Sequence, residues 1–277
     1  MTRLFPLVIG VLVLLHGRLG AQTPAAEAAF SEAIEDNSFF LEEAYNQEFR
    51  VVQHIFNGLY YRRPLETAVS TLTQEWPLGG IDNQISYTLA YSFLNGPVSG
   101  GFGDVLLNYR YQVLPAEAWA AFAPRFSVIL PTGDEDKGLG MGTTGFQVDL
   151  PFSKRFAEHW AVHLNLGTTL FPGVRGTDES GAEIRRSLSW YNAGASVIWL
   201  AAPTWNIMLE TVMNASAAID DAGETARSTE WIVSPGFRYA VNLEGLQIVP
   251  GIAVPFSVSE GSVRTGVFVY LSFEHPY

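Results

Sequence analysis

Apolar and polar residues alternate with a period of two from about Phe49 almost to the end of the chain. Between residues 159 and 172 one set reads Trp160, Val162, Leu164, Leu166, Thr168 and Leu170; the intervening set reads Ala161, His163, Asn165, Gly167 and Thr169. Between 143 and 154, Thr144, Phe146, Val148, Leu150 and Phe152 alternate with Gly145, Gln147, Asp149, Pro151 and Ser153. Residues 84–95 and 245–258 repeat the pattern. Successive side chains of an extended strand point to opposite faces, so each run is a strand with one apolar and one polar side. Twelve such runs are predicted, roughly 49–61, 66–78, 84–95, 102–114, 117–131, 143–154, 159–172, 185–200, 203–217, 227–241, 245–258 and 264–274.

Three features choose a membrane barrel over a water-soluble sandwich. Most runs have ten residues or more, beyond the ~5–6 usual in globular strands and matched to the ~9–11 that cross a bilayer at a tilt. Aromatics gather near strand ends, at Trp76, Trp119, Trp160, Trp199, Trp205 and Trp231, as interfacial girdles require. Tight connections (79–83, 115–116, 201–203, 242–244) alternate with polar, often longer ones (132–142, 173–184, 219–226). The fold class expected is all-β: a transmembrane antiparallel up-and-down β-barrel of about twelve strands, residues 49–277, with outer-membrane lipid around it. An even strand count returns both termini to the periplasm. At the end of the chain, Val267, Val269, Leu271 and Phe273 alternate, and Tyr277 supplies the terminal aromatic that the barrel-assembly machinery reads; His275 and Pro276 depart from that pattern.

The first 48 residues follow other rules. Arg3 precedes an apolar core, LFPLVIGVLVLL, too short to span a bilayer as a helix, and small residues follow at Gly20 and Ala21. Residues 1–21 are therefore expected to be a cleaved signal peptide, and the chain to reach the outer membrane of a Gram-negative cell. Residues 22–48 lack alternation. Their Ala- and Glu-rich part, 25–35, suits a short helix, and Phe39, Phe40 and Tyr45 could anchor the segment in the lumen as a plug; a periplasmic leader is the alternative.

Composition narrows the chemistry. Cys is absent, which excludes thiol and disulfide readings. The net charge of −12, with two lysines (Lys137 and Lys154), argues against nucleic acid as a partner. No metal site and no cofactor are expected: Asp134, Glu135 and Asp136 gather carboxylates without the spacing of a calcium loop, and Gly138, Gly140 and Gly142 precede no helix that could take a nucleotide.

One stretch carries a resemblance. It includes Phe102-Gly103-Asp104 with Leu106, Asn108, Tyr109 and Tyr111, then Pro124-Arg125-Phe126-Ser127 and Leu130-Pro131-Thr132-Gly133-Asp134. Gly138-Leu139-Gly140, Gly142, Gly145, Gln147, Leu150, Ser153-Lys154, Trp160 and Asn165 complete it. These resemble the outer-membrane transporter family named for the meta-cleavage pathway of phenol degradation, across about 84–277. The resemblance implies a channel for small solutes, hydrophobic or aromatic ones included, and carries over no catalytic residue.

Function would sit on the polar face. Parity sends Glu75, Asn108, Arg110, Arg125, Asp149, His163, Asn165, Glu210, Glu230 and Arg238 into the lumen, because Arg or Lys facing lipid at midplane costs ~2–4 kcal/mol. These residues suit either a charge-lined pore or a paired network that fills a narrow lumen. Three functions stay open: passive solute transport, a non-conducting structural or adhesion barrel, and a barrel-embedded hydrolase built on His163. No catalytic residue is assigned, and the sequence does not set the oligomeric state.

Overall fold

A computed structural model describes residues 34–62, 66–94 and 100–277. The leader over 1–21, and the helix expected over 25–35 except for its last two residues, lie outside the described residues. Sixteen strand segments form one antiparallel sheet. Four of the segments continue a neighbour after a short break, which leaves twelve barrel strands.

In chain order these are β1 (Val51–Tyr61), β2 (Thr67–Pro77), β3 (Asn83–Leu94), β4 (Gly100–Phe102 and Val105–Tyr111), β5 (Ala121–Phe122 and Arg125–Leu130) and β6 (Gly145–Phe156). Then come β7 (Trp160–Thr177), β8 (Glu183–Ala202), β9 (Trp205–Ile219), β10 (Thr225–Tyr239 and Val241–Leu243), β11 (Leu246–Ala253 and Phe256–Ser259) and β12 (Ser262–Pro276). Each strand pairs with the next, and β1 also pairs with β12 from Val51↔Pro276 to Tyr61↔Gly266, which closes the barrel. A closed barrel leaves no free strand edge, the condition for placing β structure in lipid.

The sheet is inverted relative to a water-soluble protein. Leu164, Leu166, Leu209, Val233, Ile252, Val267 and Val269 are exposed on the outer face, whereas Arg238, Glu210, His163, Gln84 and Asn206 are fully buried inside. Near one end Trp160, Trp199, Trp205 and Phe237 touch in succession, with ring centroids 6.3, 6.3 and 5.9 Å apart, forming part of an outer aromatic belt.

Turns at 157–159, 203–204 and 244–245 mark that end, the short-turn end. Two expectations about connections change. The tight connection expected at 115–116 is a longer loop, 112–120, carrying the exposed Trp119. The long loops expected at 173–184 and 219–226 shrink to 178–182 and 220–224, because β7 and β8 run for 18 and 20 residues, and β9 and the first part of β10 for 15 each, well past the bilayer.

At the opposite, long-loop end, 131–144 folds back onto the break in β4. The Asp104 carboxylate accepts Gly133 N and Met141 N, both at 2.9 Å, and Thr132 Oγ1 donates to Gly103 O at 3.1 Å. Gly138 closes the turn at φ 70°, a left-handed conformation that glycine adopts without strain. The loop's acidic residues are engaged: Asp134 caps a turn over Glu135–Lys137 and pairs with Lys137 at 2.5 Å, and Glu135 pairs with Arg175.

Candidate functional site

All ten polar candidates lie on the inner face, and most are paired. Arg125 Nη2 donates to Asp149 Oδ2 at 2.7 Å and to Gln147 Oε1 at 2.8 Å, while Asn192 Nδ2 donates to Asp149 Oδ1 at 2.9 Å. Arg110 Nη2 lies 3.7 Å from the Glu75 carboxylate. Asn108 Nδ2 donates to Ser86 Oγ at 3.0 Å. Glu230 pairs with Arg264 at 2.7 Å and accepts from Ser257. Pairing offsets the desolvation of charges held away from bulk water.

Glu210, Asn165, His163 and Arg238 meet something else. Residues 34–48 enter the lumen from the short-turn end, where Ile34 N donates to Pro203 O at 2.9 Å. They bend back near Phe40–Glu42 and return to the same end to begin β1. This U-shaped segment has no strand or helix of its own, so its peptide groups need partners from the wall. Six backbone N–H groups find them in wall side chains: Phe39 and Phe40 on Glu210 Oε1 (3.0 and 3.1 Å), Glu42 on Asn165 Oδ1 (2.8 Å), Ala44 on Ser153 Oγ (2.7 Å), Asn46 on Gln112 Oε1 (3.1 Å) and Gln47 on Gln84 Oε1 (2.6 Å). Carbonyls are met in the same way. Asn206 and Arg238 donate to Glu35 O, Asn165 to Glu42 O (2.7 Å), Arg110 to Glu43 O (2.9 Å) and Gln112 to Ala44 O (2.7 Å). Charges add to this: Arg155 holds both Asp36 oxygens at 3.0 Å, and Arg125 pairs with Glu42.

Apolar packing holds the bend. The Phe39 ring lies 5.1 Å from Phe268 and 5.4 Å from Tyr270, and Phe40 lies 4.9 Å from Phe268. Two wall glycines make this possible: a side chain would begin 2.5 Å from Phe39 at Gly236 and 2.8 Å from it at Gly251. Gly194 clears space for Leu41 in the same way. Tyr45 sets its ring edge-on to His163 at 6.3 Å.

The hydrolase reading loses its footing here. His163 Nδ1 lies 2.6 Å from Ser153 Oγ, but Nε2 faces the Asp36 carbonyl at 2.7 Å, and that residue's carboxylate, 3.9 Å away, is held by Arg155. Ser153 Oγ already accepts Ala44 N, and both side chains are buried beneath the segment. The pair reads as part of the segment's berth.

Three cavities follow the segment. One of about 510 Å³ at the short-turn end is lined by Glu35, Tyr45, Glu75, Arg110, Arg155 and Glu274. One of about 480 Å³ beyond the bend is lined by Phe40, Glu42, Arg125, Asp149, Trp190 and Asn192. Between them, beside the segment, lies one of about 180 Å³; it shares Glu75 and Arg110 with the first and Phe40, Glu42 and Arg125 with the second.

Ser153, Gln84, Gln112, Asn206 and the three glycines were not singled out from sequence as site residues. Parity places Ser153 inside, but nothing local tells an amide that binds a peptide group from one that faces water.

No protein-family model and no curated protein matches the chain. Among solved structures it is similar to the COG4313 outer membrane channel from Pseudomonas putida F1, at a TM-score of 0.66 and 13% identity, over 87% of this chain and 100% of that one. The barrel thus has the fold of a known outer-membrane channel. Weaker likenesses are to the NanC porin (TM-score 0.49, 10% identity, 81% of this chain and 100% of that one) and the KdgM porin (0.46, 9%, 81% and 99%).

Proposed function

We propose that the chain is a channel for small solutes in the outer membrane, and that residues 34–48 restrict it as a plug. The observation that carries this is the pair of vestibules, about 510 and 480 Å³, flanking the segment and bridged by the 180 Å³ cavity alongside it. The three cavities share lining residues, so water and small ions are expected to pass beside the docked segment, and larger solutes need it to withdraw. Arg110, Arg125 and Asp149 line these cavities, whereas Glu210 and Arg238 are held under the segment and would join the route only when it withdraws. The solute class rests on the lining: paired charges and the amides of Gln147, Asn165, Asn192 and Asn214 beside the apolar surfaces of Phe40, Leu41 and Trp190. That lining suits a small molecule with a polar rim, aromatic compounds included, in keeping with the phenol-pathway resemblance.

The test is single-channel conductance of the refolded barrel in planar bilayers, with and without residues 22–48. Small steps in the full chain, enlarged in the truncated one, are expected. A second reading, a non-conducting structural barrel, draws on the six peptide N–H groups bound by the wall. Silent bilayers from both forms, with heat-modifiable migration showing that each has folded, would establish it at the expense of transport.

A further inference from the structure

A second polar cluster lies outside the lumen, on the outer face of the barrel, at the seam where the first strand meets the last. His54 of β1 and His275 of β12 present their Nε2 atoms to one another at 3.3 Å, their rings within 21° of parallel. The remaining nitrogen of each ring is held. His275 Nδ1 lies 3.1 Å from Pro276 O. His54 Nδ1 is bonded to the side-chain amide of Gln74, whose other end takes the hydroxyl of Tyr87. All four side chains are partly exposed near the short-turn end.

As an unmetallated relay the cluster has a weak centre. Tyr87 donates to Gln74, Gln74 to His54 Nδ1, and His54 Nε2–H must then donate to His275 Nε2 over 3.3 Å, longer than the ~2.7–3.2 Å typical of N–H donors. The same spacing suits a metal. Two imidazole nitrogens bound at ~2.0–2.1 Å in a tetrahedron lie about 3.3–3.4 Å apart. A metal-bound histidine commonly donates its other N–H to a carbonyl, and His275 has Pro276 O for that. His54 needs its proton on Nδ1, which a half-turn of the Gln74 amide provides: Oε1 then accepts from His54 and the NH₂ group donates to Tyr87.

We propose that His54 and His275 bind a divalent transition metal of the zinc class, with water completing its coordination, and that the metal clasps β1 to β12. Among the described residues no group of three or more His, Asp or Glu is placed to hold a metal. The site therefore has two protein ligands and the modest affinity that goes with them. Its position gives it leverage, because the two ligands are 221 residues apart in sequence and join strands at opposite ends of the barrel domain. Holding the ends of so long a loop restricts the unfolded chain more than a local bridge would.

The experiment uses tag-free, refolded protein in detergent. Zinc affinity is read by competition with a chromogenic chelator, and barrel unfolding by heat-modifiable migration in zinc or in EDTA. The expected result is one zinc per chain and a higher unfolding temperature in zinc. His54→Gln and His275→Gln should each weaken binding more than about tenfold and remove the temperature shift, whereas His159→Gln should change neither. Absence of binding by the native chain, or binding that survives both substitutions, overturns the site. If a variant does not fold, carbethoxylation of the native chain followed by mass spectrometry replaces it: zinc should protect His54 and His275, and their unprotected modification overturns the site equally.

Discussion

Glu210 receives two adjacent peptide N–H groups on one oxygen, so its removal strands both at once. Leaving a buried donor unpaired costs about 1–3 kcal/mol. Glu210→Ala is therefore expected to loosen residues 34–48, read as cleavage of that segment by added protease while the barrel stays intact; unchanged protection would refute the role. Gly236 acts through volume. Gly236→Ala drives a methyl into the Phe39 ring, an overpacking of about 1–3 kcal/mol, and should open the channel to larger conductance steps. Adding Phe39→Ala should abolish the clash, so a double-mutant cycle with additive effects would count against the contact. Glu35 supplies a pH response. Burial, and then the neighbouring Asp36 carboxylate, push its carboxyl up to about 7 from an ordinary 4.5. The docked segment therefore holds the proton more tightly than the free one. Docking is strongest below the ordinary value, weakens as the pH climbs from there to about 7, and is level above that. Conductance should rise over that window, and Glu35→Gln should flatten the profile.

Among elements, two differ in how readily the sequence exposes them. The strands announce themselves, since a period of two over ten residues is local information, and the same parity puts Arg110 and His163 in the lumen. The inserted segment does not. Its path is set by Glu210, Asn165, Ser153, Gln112 and Gln84, which come from widely separated stretches of chain. Its own Glu42 and Glu43 look like any solvated charges, and Gly194, Gly236 and Gly251 look like ordinary strand glycines. The loop 131–144 falls between these cases. Of the residues that carry the resemblance, Thr132 and Gly133 fasten the loop to Gly103 and Asp104, and Gly140 lets it approach the Asp104 carboxylate, with Met141 N adding the remaining bond. Asp104→Ala should free this loop alone, seen as faster amide exchange over 132–142 with the inserted segment still protected; exchange unchanged in the loop would contradict the assignment.

At the scale of the whole molecule, an inverted β-barrel is unusually legible. Lipid outside and a polar lumen inside force every strand to repeat one alternation, whereas the interruption of β4 at Gly103 and Asp104 depends on the loop that docks there and leaves little local trace. The join between segment and barrel is brief: Phe49 and Arg50 alone separate Glu48 from β1, with Arg50 at φ 62° and its carbonyl bound by Tyr277 N at 3.0 Å. A plug on so short a leash is a competitor that never diffuses away. Short tethers commonly give local concentrations in the millimolar range, so a solute seeking Arg125 would contend with Glu42, a rival always at hand. Uptake would then half-saturate at a higher solute concentration than an unobstructed route would need, because each solute displaces the chain's own peptide at a constant cost.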